Sequence, residues 1–242
     1  MEIRSAAVIG AGVMGSGIAA HIANAGIPVF LLDIVPQEVK DGRGNDRSVV
    51  ARTAIEKMLK TDPAPFVHKR NARLVTPGNI DDDLEKLSDV DWIVEAVVEN
   101  PAVKSDLYAR LDKVRKPGSI VSSNTSTIPL NNLIEGQSER FSQDFLITHF
   151  FNPPRYMRLL EVVSGPATRA EALASLTEFA DKRLGKGVVQ CKDRPGFIAN
   201  RIGTYWLACA VREAFDAGLD VEVADAVHGP MGVPKTGVFG LI

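Results

Sequence analysis

Short apolar runs alternate with amphipathic stretches along most of the chain. The runs that we predict to be strands are AAVIGAG, PVFLLDI, ARLVTP, DWIVEAVVE, GSIVSSN, DFLITHFF, RLLEVVSG and GVVQCK. The segments between them that we predict to be helices are MGSGIAAHIANAG, VKSDLYARLDKVR and RAEALASLTEFADKRLG. Residues 37–68 form a longer polar stretch that also has helical spacing. Strands that alternate with helices are typical of an α/β protein with a mostly parallel sheet.

The pattern changes at CKDRPGFIAN, where a long apolar stretch with helical spacing follows, FIANRIGTYWLACAVREAFDAG. We therefore predict an α/β domain over residues 1–193 and the start of a helical domain over residues 194–242. The last residues, VFGLI, are apolar and offer no helix cap. So short a helical domain would be poorly stabilised by itself, and we expect it to be incomplete.

Composition excludes several classes of partner. The chain has 242 residues, is 24% charged and carries a net charge of −2, without the basic excess of a nucleic-acid or membrane-surface binder. Its two cysteines, Cys191 and Cys209, form no CxxC pair, which favours a reducing compartment and predicts no metal site. With no signal-peptide pattern and no apolar run of membrane-spanning length, we expect a soluble, cytoplasmic protein.

A glycine-rich turn joins the first predicted strand to the first predicted helix. It reads Gly10-Ala11-Gly12-Val13-Met14-Gly15, and Asp33 stands 18 residues further on, at the end of the second strand. In a βαβ unit this is the fingerprint of a dinucleotide-binding fold. Gly10 permits the tight turn, Gly12 lets the backbone approach a pyrophosphate, and Gly15 allows the helix to pack closely on the strand. The helix N-terminus then offers amide groups to the phosphates.

Asp33 also predicts which dinucleotide binds. Its carboxylate can accept hydrogen bonds from both ribose hydroxyls and would repel a 2′-phosphate. The following residues, Ile34 and Val35, supply no arginine to neutralise such a phosphate. NAD is therefore favoured over NADP.

Polar residues after two later strands are candidates for the rest of the site, because ligands bind beyond the carboxyl ends of parallel strands. Glu99 ends DWIVEAVVE and Lys104 opens the next helix; both can line the cofactor crevice or serve only as a helix start. The hydroxyl-rich segment SSNTST, residues 122–127, suits a substrate-facing loop, although an N-cap and turn cluster has the same composition.

His149 and Glu161 lie within two neighbouring apolar runs, DFLITHFF and RLLEVVSG. Burying a charged group costs several kcal/mol unless it is paired. If the runs lie side by side, the carboxylate can bond one imidazole nitrogen and leave the other to act as a base. Histidine is suited to accept a hydroxyl proton near neutral pH during hydride transfer. A purely structural pair is the alternative.

Six segments together resemble the NAD-dependent L-3-hydroxyacyl-CoA dehydrogenases of fatty-acid β-oxidation. They are VIGAGVMGSGIA, VEAVVEN, SSNTS, HFFNPP, LLEVV and CKDRPGFIANR. They follow the family's order over essentially the whole chain, and HFFNP and KDxPGFxxNR are specific to it. The chain looks most like the dehydrogenase part of larger bacterial β-oxidation proteins.

The resemblance implies residue roles and a substrate, a (3S)-3-hydroxyacyl-CoA that is oxidised to the 3-oxoacyl-CoA. His149 is expected to be the catalytic base and Glu161 its partner, with Ser126 bonding the substrate 3-oxygen and Asn200 completing the substrate site. Residues 37–68 resemble the inserted helical pair that helps to hold CoA. A homodimer through the C-terminal domain is expected of the full-length protein. The cofactor-contacting positions implied are Gly10, Gly12, Val13, Met14, Gly15, Asp33, Glu99, Lys104 and Asn124.

Two other interpretations stay open at this point. A related enzyme on the same fold could oxidise a sugar acid such as gulonate. Alternatively, the chain could bind NAD without catalysing a reaction, because the helical domain is incomplete.

Overall fold

The structure, a computed structural model, describes residues 1–228 and 237–241. The chain divides into two compact units, Met1–Arg194 and Pro195–Ile242. The prediction of an incomplete helical domain over residues 194–242 includes residues 229–236 and 242, which lie outside the described residues.

The first unit contains one eight-stranded sheet. Its strands are β1 (Ala6–Ile9), β2 (Val29–Asp33), β3 (Val75–Asn79), β4 (Trp92–Glu95), β5 (Ile120–Ser123), β6 (Phe145–Phe150), β7 (Leu159–Ser164) and β8 (Gly187–Cys191). They lie in the order β3-β2-β1-β4-β5-β6-β7-β8. Every neighbouring pair is parallel except β6 and β7, which are antiparallel. The predicted fold class, a mostly parallel Rossmann-type sheet, is confirmed.

Helices connect these strands. They are α1 (Val13–Asn24), α2 (Gln37–Lys40), α3 (Val49–Met58), α4 (Pro101–Val114), α5 (Leu130–Ile134), α6 (Glu139–Asp144) and α7 (Ala170–Lys182). Short 3-10 helices cover Lys69–Leu74 and Leu84–Asp89. The inserted pair is unequal, since α2 is a single turn and α3 has 10 residues.

The strand order reverses between β1 and β4, which lie side by side at the centre of the sheet. Both strands are fully buried, as their continuous apolar sequences predict. At such a switch point the connections leave toward opposite sides and open a crevice beyond the carboxyl ends of the strands. The glycine-rich turn follows β1 directly, so this crevice begins at Gly10.

Two sequence predictions differ from the structure. DWIVEAVVE was expected to be one strand that ends at Glu99, but β4 ends at Glu95. The Glu95 carboxylate accepts a hydrogen bond from the Val97 amide at 2.8 Å, and this bond turns the chain out of the sheet. Glu99 therefore lies in the connection before α4, whose N-cap is Asn100. Helices α5 and α6 were not predicted, because each is too short for a clear periodicity.

The second unit contains α8 (Ala199–Asp216) and α9 (Val221–His228), followed by a 3-10 turn at Phe239–Leu241. Gly218, at a φ of 65°, follows the end of α8 as its sequence predicts. Asp225 accepts the Phe239 amide at 2.8 Å and so ties α9 to the turn. Among the described residues, no helix combines the length and apolar character needed to cross a membrane.

Lys186 and His21 are basic side chains that are both buried in the first unit. Lys186, 3% exposed, donates hydrogen bonds to the carbonyls of Pro154 and Met157. His21 on α1 is 8% exposed, and neither of its ring nitrogens meets a hydrogen-bond partner among the described residues. Burial, and then the Lys186 charge, lowers the pKa of His21 to about 4, although the Leu184 carbonyl weakly opposes this shift. His21 is therefore neutral in the folded protein at pH 7.

This shift predicts a loss of stability in mild acid. Between pH 6.5 and 4 the unfolded chain protonates His21 while the folded chain does not, so unfolding becomes more favourable as the pH falls. Going from pH 7 to pH 4, the free energy of unfolding should fall by about 3 kcal/mol more in the native chain than in His21→Gln. Urea titrations at several pH values measure this difference. His68→Gln, which changes an exposed histidine, should follow the native chain, and equal pH slopes for all three proteins would refute the assignment.

Candidate active site

The glycine-rich turn has the geometry that a bound pyrophosphate requires. Gly10 adopts a φ of 102°, and a Cβ there would lie 2.4 Å from the Ala96 carbonyl oxygen. A Cβ on Gly15 would lie 1.8 Å from the Gly10 carbonyl oxygen, so α1 packs directly on the turn. Gly12, by contrast, faces open space, with nothing within 4 Å of its Cβ position. It is also the N-cap of α1 and provides no side-chain cap, which leaves the helix N-terminus open to phosphate.

Asp33 ends β2 beside this turn. One of its carboxylate oxygens accepts the Ala11 amide at 2.5 Å, and the other accepts the Ile34 amide at 2.6 Å. These bonds fix the carboxylate next to the glycine-rich turn, where the fingerprint places an adenosine ribose. Gly10, Gly12, Gly15 and Asp33 thus form one cradle, and the residues present fit a dinucleotide.

His149 and Glu161 lie opposite each other in the antiparallel pair of β6 and β7. The His149 Nδ1 atom lies 2.8 Å from Glu161 Oε2. His149 is 7% exposed and Glu161 is 1% exposed, and the Phe151 ring packs against the imidazole with centroids 4.5 Å apart. The structure therefore brings together the two groups that the sequence singled out. The bond to Nδ1 fixes the orientation of the imidazole ring.

The hydroxyl-rich segment after β5 has a mixed role. Ser122 bonds Trp92 Nε1 at 3.0 Å and Thr148 Oγ1 at 2.8 Å, all within the core. Thr125 Oγ1 accepts amides of residues 127 and 128 and so shapes the turn. Much of the segment is thus the turn cluster that its composition also allowed.

Asn124 and Ser126 in this segment are placed differently. The Asn124 side-chain oxygen accepts a hydrogen bond from the Phe150 backbone amide at 3.0 Å. The backbone amide of Asn124 donates to the Glu95 carbonyl at 2.8 Å. Asn124 thereby ties the end of the His149 strand to the end of β4. Ser126 is half-buried two residues further on. Asn200, the remaining predicted substrate residue, lies in the first turn of α8 in the second unit.

Glu99 and Lys104 occupy contrasting environments. The Glu99 side chain is 45% exposed, whereas the Lys104 side chain is 1% exposed. The Lys104 ammonium lies 2.6 Å from Glu95 and 3.5 Å from Glu99. Of these two side chains, only Glu99 is exposed enough to contact a ligand. Lys104 is buried between Glu99 and Glu95. Val13 and Met14, at the start of α1, are exposed and half-buried respectively.

The sequence reasoning missed Glu95 and Lys186. Glu95 is fully buried at the end of β4, and it carries the same signal that marked Glu161, a carboxylate inside an apolar run. Lys186 directly precedes β8, so its position next to an apolar run was a weaker sign that a charged side chain is buried there. Neither signal names a partner, which only the fold supplies.

A cavity of about 590 Å³ opens between the inserted helix α3, the glycine-rich turn and the segment after His149. It is lined mainly by apolar groups, with Lys57 and Arg155 as its cationic side chains. Arg155 also donates to the carbonyls of Ala64 and Phe66, at 2.5 and 3.1 Å. The cavity therefore combines an apolar wall with positive charge beside the predicted cofactor cradle. The remaining lining residues include Val50, Thr53, Ala54, Met58, Thr61, Pro63, Pro65, Asn152, Pro153 and Pro154.

The glycine geometry yields a prediction that separates binding from folding. Gly12→Ala should fold with a native melting temperature, because the added methyl group meets no protein atom. It should nevertheless raise the Kd of NADH at least tenfold, because the methyl group blocks the position of the pyrophosphate. Gly15→Ala should instead lower the melting temperature. NADH fluorescence titration and thermal unfolding measure the two effects. Gly203→Ala, at another position with nothing within 4 Å, is the matched control. Native NADH affinity in Gly12→Ala would contradict the placement of the pyrophosphate.

Comparison with known proteins identifies the family. Residues 5–194 match the family described as 3-hydroxyacyl-CoA dehydrogenase, NAD binding domain. A probable 3-hydroxyacyl-CoA dehydrogenase of Bacillus subtilis is 51% identical over 98% of this chain and 31% of its own length. A protein of Deinococcus radiodurans with the same description is 48% identical over 95% of this chain and 65% of its own length. The chain thus spans about a third and about two thirds of the lengths of these relatives.

Solved structures agree with this result. The crystal structure of FadB2 from M. tuberculosis superposes with a TM-score of 0.78 and 34% identity, covering 97% of this chain and 80% of that one. The predicted resemblance and the predicted cofactor are both confirmed. The chain belongs to the family of NAD-binding domains of 3-hydroxyacyl-CoA dehydrogenases, and NAD is its cofactor.

Proposed function

We propose that the protein of which this chain is the NAD-binding part oxidises (3S)-3-hydroxyacyl-CoA to 3-oxoacyl-CoA in fatty-acid β-oxidation. The observation that carries the proposal is the buried His149–Glu161 pair, 2.8 Å apart and at the same edge of the sheet as the NAD cradle. A histidine held by a carboxylate is suited to remove a hydroxyl proton. NAD, when bound, supplies the acceptor for the hydride that the alcohol carbon loses.

His149 takes the proton of the substrate 3-hydroxyl group at Nε2, and in the reverse direction it returns that proton. Glu161 holds Nδ1 and stabilises the imidazolium that forms. Because Glu161 is 1% exposed, water screens this interaction little, and the two groups act as one unit. Ser126 donates a hydrogen bond to the same substrate oxygen, and Asn200 completes the substrate site. These four roles are proposals that follow the family resemblance.

The cavity beside α3 is the proposed place for part of the CoA moiety. Its apolar wall suits a pantetheine chain, and Lys57 and Arg155 supply positive charge for phosphate groups. This assignment gives the inserted helices the role that the resemblance implied for residues 37–68.

The cellular setting and the assembly are also proposals. Within the part of the chain that the structure describes, neither Cys191 nor Cys209 forms a disulfide, which supports a reducing compartment, and we propose the cytoplasm. For the full-length protein we propose a homodimer formed through its C-terminal domain.

The base assignment predicts the behaviour of His149→Gln. The substitution keeps a polar side chain but removes the base, so turnover should fall at least 100-fold while the Kd of NADH stays within about twofold. NADH oxidation with acetoacetyl-CoA measures turnover, and fluorescence titration measures binding. His68→Gln is the matched control and should retain full activity. A His149→Gln variant with most of the native rate would overturn the assignment.

The same assay separates the two alternatives. Turnover of a small 3-hydroxy acid in preference to the acyl-CoA would favour a sugar-acid dehydrogenase. If this chain binds NADH without turnover while a longer chain is active, the result would favour the alternative in which this chain only binds NAD and catalysis needs additional sequence.

The cavity assignment predicts a charge-specific effect on CoA. Lys57→Glu should raise the Kd of acetoacetyl-CoA about fivefold or more, because it places a negative charge beside the proposed phosphate position. The Kd of NADH should not change. Lys60→Glu reverses the charge of an exposed lysine that does not line the cavity and is the matched control. Equal effects of both variants would show that general surface charge, and not this cavity, attracts CoA.

A further inference from the structure

The Glu95 side chain, at the carboxyl edge of the sheet, is bonded through both of its carboxylate oxygens. Its Oε1 atom accepts the Val97 amide at 2.8 Å and the Lys104 ammonium at 2.6 Å. Its Oε2 atom accepts the hydroxyl groups of Tyr108 at 2.6 Å and Ser123 at 2.7 Å. Four donors thus converge on one carboxylate that has no exposed surface.

These donors come from three different segments. Val97 belongs to the chain that leaves β4, Lys104 and Tyr108 to the first two turns of α4, and Ser123 to the end of β5. Burial, reinforced by the Glu95 carboxylate, raises the pKa of Tyr108, so its hydroxyl group stays protonated and continues to donate. Glu95 therefore fixes the relative positions of these three segments where they meet the crevice.

The contacts continue outward from Glu95 to the crevice. Lys104 lies 3.5 Å from Glu99, and Thr125 donates to Glu99 at 3.0 Å. Glu99 is the exposed member, with 45% of its side chain accessible. On the other side, the adjoining Ala96 carbonyl packs against Gly10 of the NAD turn. A displacement of Glu95 would thus reach both the glycine-rich turn and Glu99.

A second buried ion pair shows what a purely structural arrangement looks like in the same unit. Arg115 and Asp144 lie 2.6 Å apart, with side-chain exposures of 0% and 3%. Arg115 also donates to the carbonyls of Ser119 and Arg140. This pair lies at the amino ends of β5 and β6, the edge opposite the crevice. Among the described residues, neither Arg115 nor Asp144 bonds Asp33 or Glu99.

We propose that Glu95 is a positioning residue for the NAD site, acting through Lys104 to hold Glu99 toward the cofactor. A buried ion pair seldom adds stability over apolar packing, so the cluster is better explained by the geometry it imposes at the crevice. The inference rests on the proposed role of Glu99 as a cofactor contact.

The test compares NADH affinity in matched variants of this chain. Glu95→Gln keeps the shape of the side chain but loses the charge that holds Lys104. It should raise the Kd of NADH at least fivefold. In a turnover assay the KM of NADH should rise while kcat changes less, since a ground-state contact is lost. Asp144→Asn breaks the control ion pair and should lower the melting temperature without changing the Kd of NADH more than twofold. Equal weakening by both variants would overturn the proposal.

A double-mutant cycle tests the route through Glu99. If Glu95 acts through Glu99, Glu95→Gln should have less than a twofold effect in a Glu99→Gln background. Additive effects would overturn the route. Should Glu95→Gln fail to fold, Tyr108→Phe removes one of the four donors without stranding a charge, and a measurable loss of NADH affinity is expected.

The outcomes also separate this inference from the proposed function. Native NADH binding in Glu95→Gln, with weakened binding in Glu99→Gln, would overturn the inference alone. Native binding in both would overturn the inference and the role of Glu99. A His149→Gln variant that keeps turnover would overturn the proposed base without affecting either result.

Discussion

The close approach of backbone to backbone at the centre of the sheet is the constraint on which the rest of the structure depends. Gly10 and Gly15 let the turn after β1, the N-terminus of α1 and the carbonyl of Ala96 lie nearly in contact. A side chain at either position would overlap with main-chain atoms, which cannot move aside without displacing β1 or β4. The crevice for the cofactor exists because two residues without side chains let these segments close on one another. The candidate groups of the first unit are then placed relative to that turn.

Polar groups at the crevice edge are buried at a cost that their partners offset. An unpaired buried charge costs several kcal/mol, yet Glu95 and Glu161 are both almost fully buried. Glu95 meets four donors and Glu161 meets the His149 ring, so neither carboxylate lacks partners. Complete bonding also makes each arrangement rigid, because a shift of any member leaves another unsatisfied. Rigid side chains suit the proposed hydride transfer, since the reacting groups must be held within fractions of an ångström.

The sequence predicts much of the fold because its strongest signals are local. Alternating apolar and amphipathic runs identify the strands and helices, and the glycine spacing with Asp33 identifies the NAD turn. His149 and Glu161 stood out because each is polar within an apolar run. Their direct pairing was only conditional, because periodicity does not reveal that β6 and β7 are antiparallel with these two residues in register. The end of β4 was mispredicted for a related reason: its apolar run continues past Glu95, but a side-chain hydrogen bond to Val97 ends the strand.

The segment between β6 and β7 joins the proposed chemistry to the proposed substrate cavity. It starts immediately after His149 and returns to Glu161, so its conformation affects both members of the pair. Lys186 holds the carbonyls of Pro154 and Met157 from the core side, while Pro154 packs on Gly17 of α1, where a Cβ would lie only 3.0 Å from it. Arg155 bonds the carbonyls of the inserted segment at Ala64 and Phe66. One connection therefore links His149, the proposed base, with α1 and the cavity wall. In the proposed arrangement, a substrate that fills the cavity would contact the same segment that follows His149, so the proposed binding of the CoA moiety would be linked structurally to the proposed base.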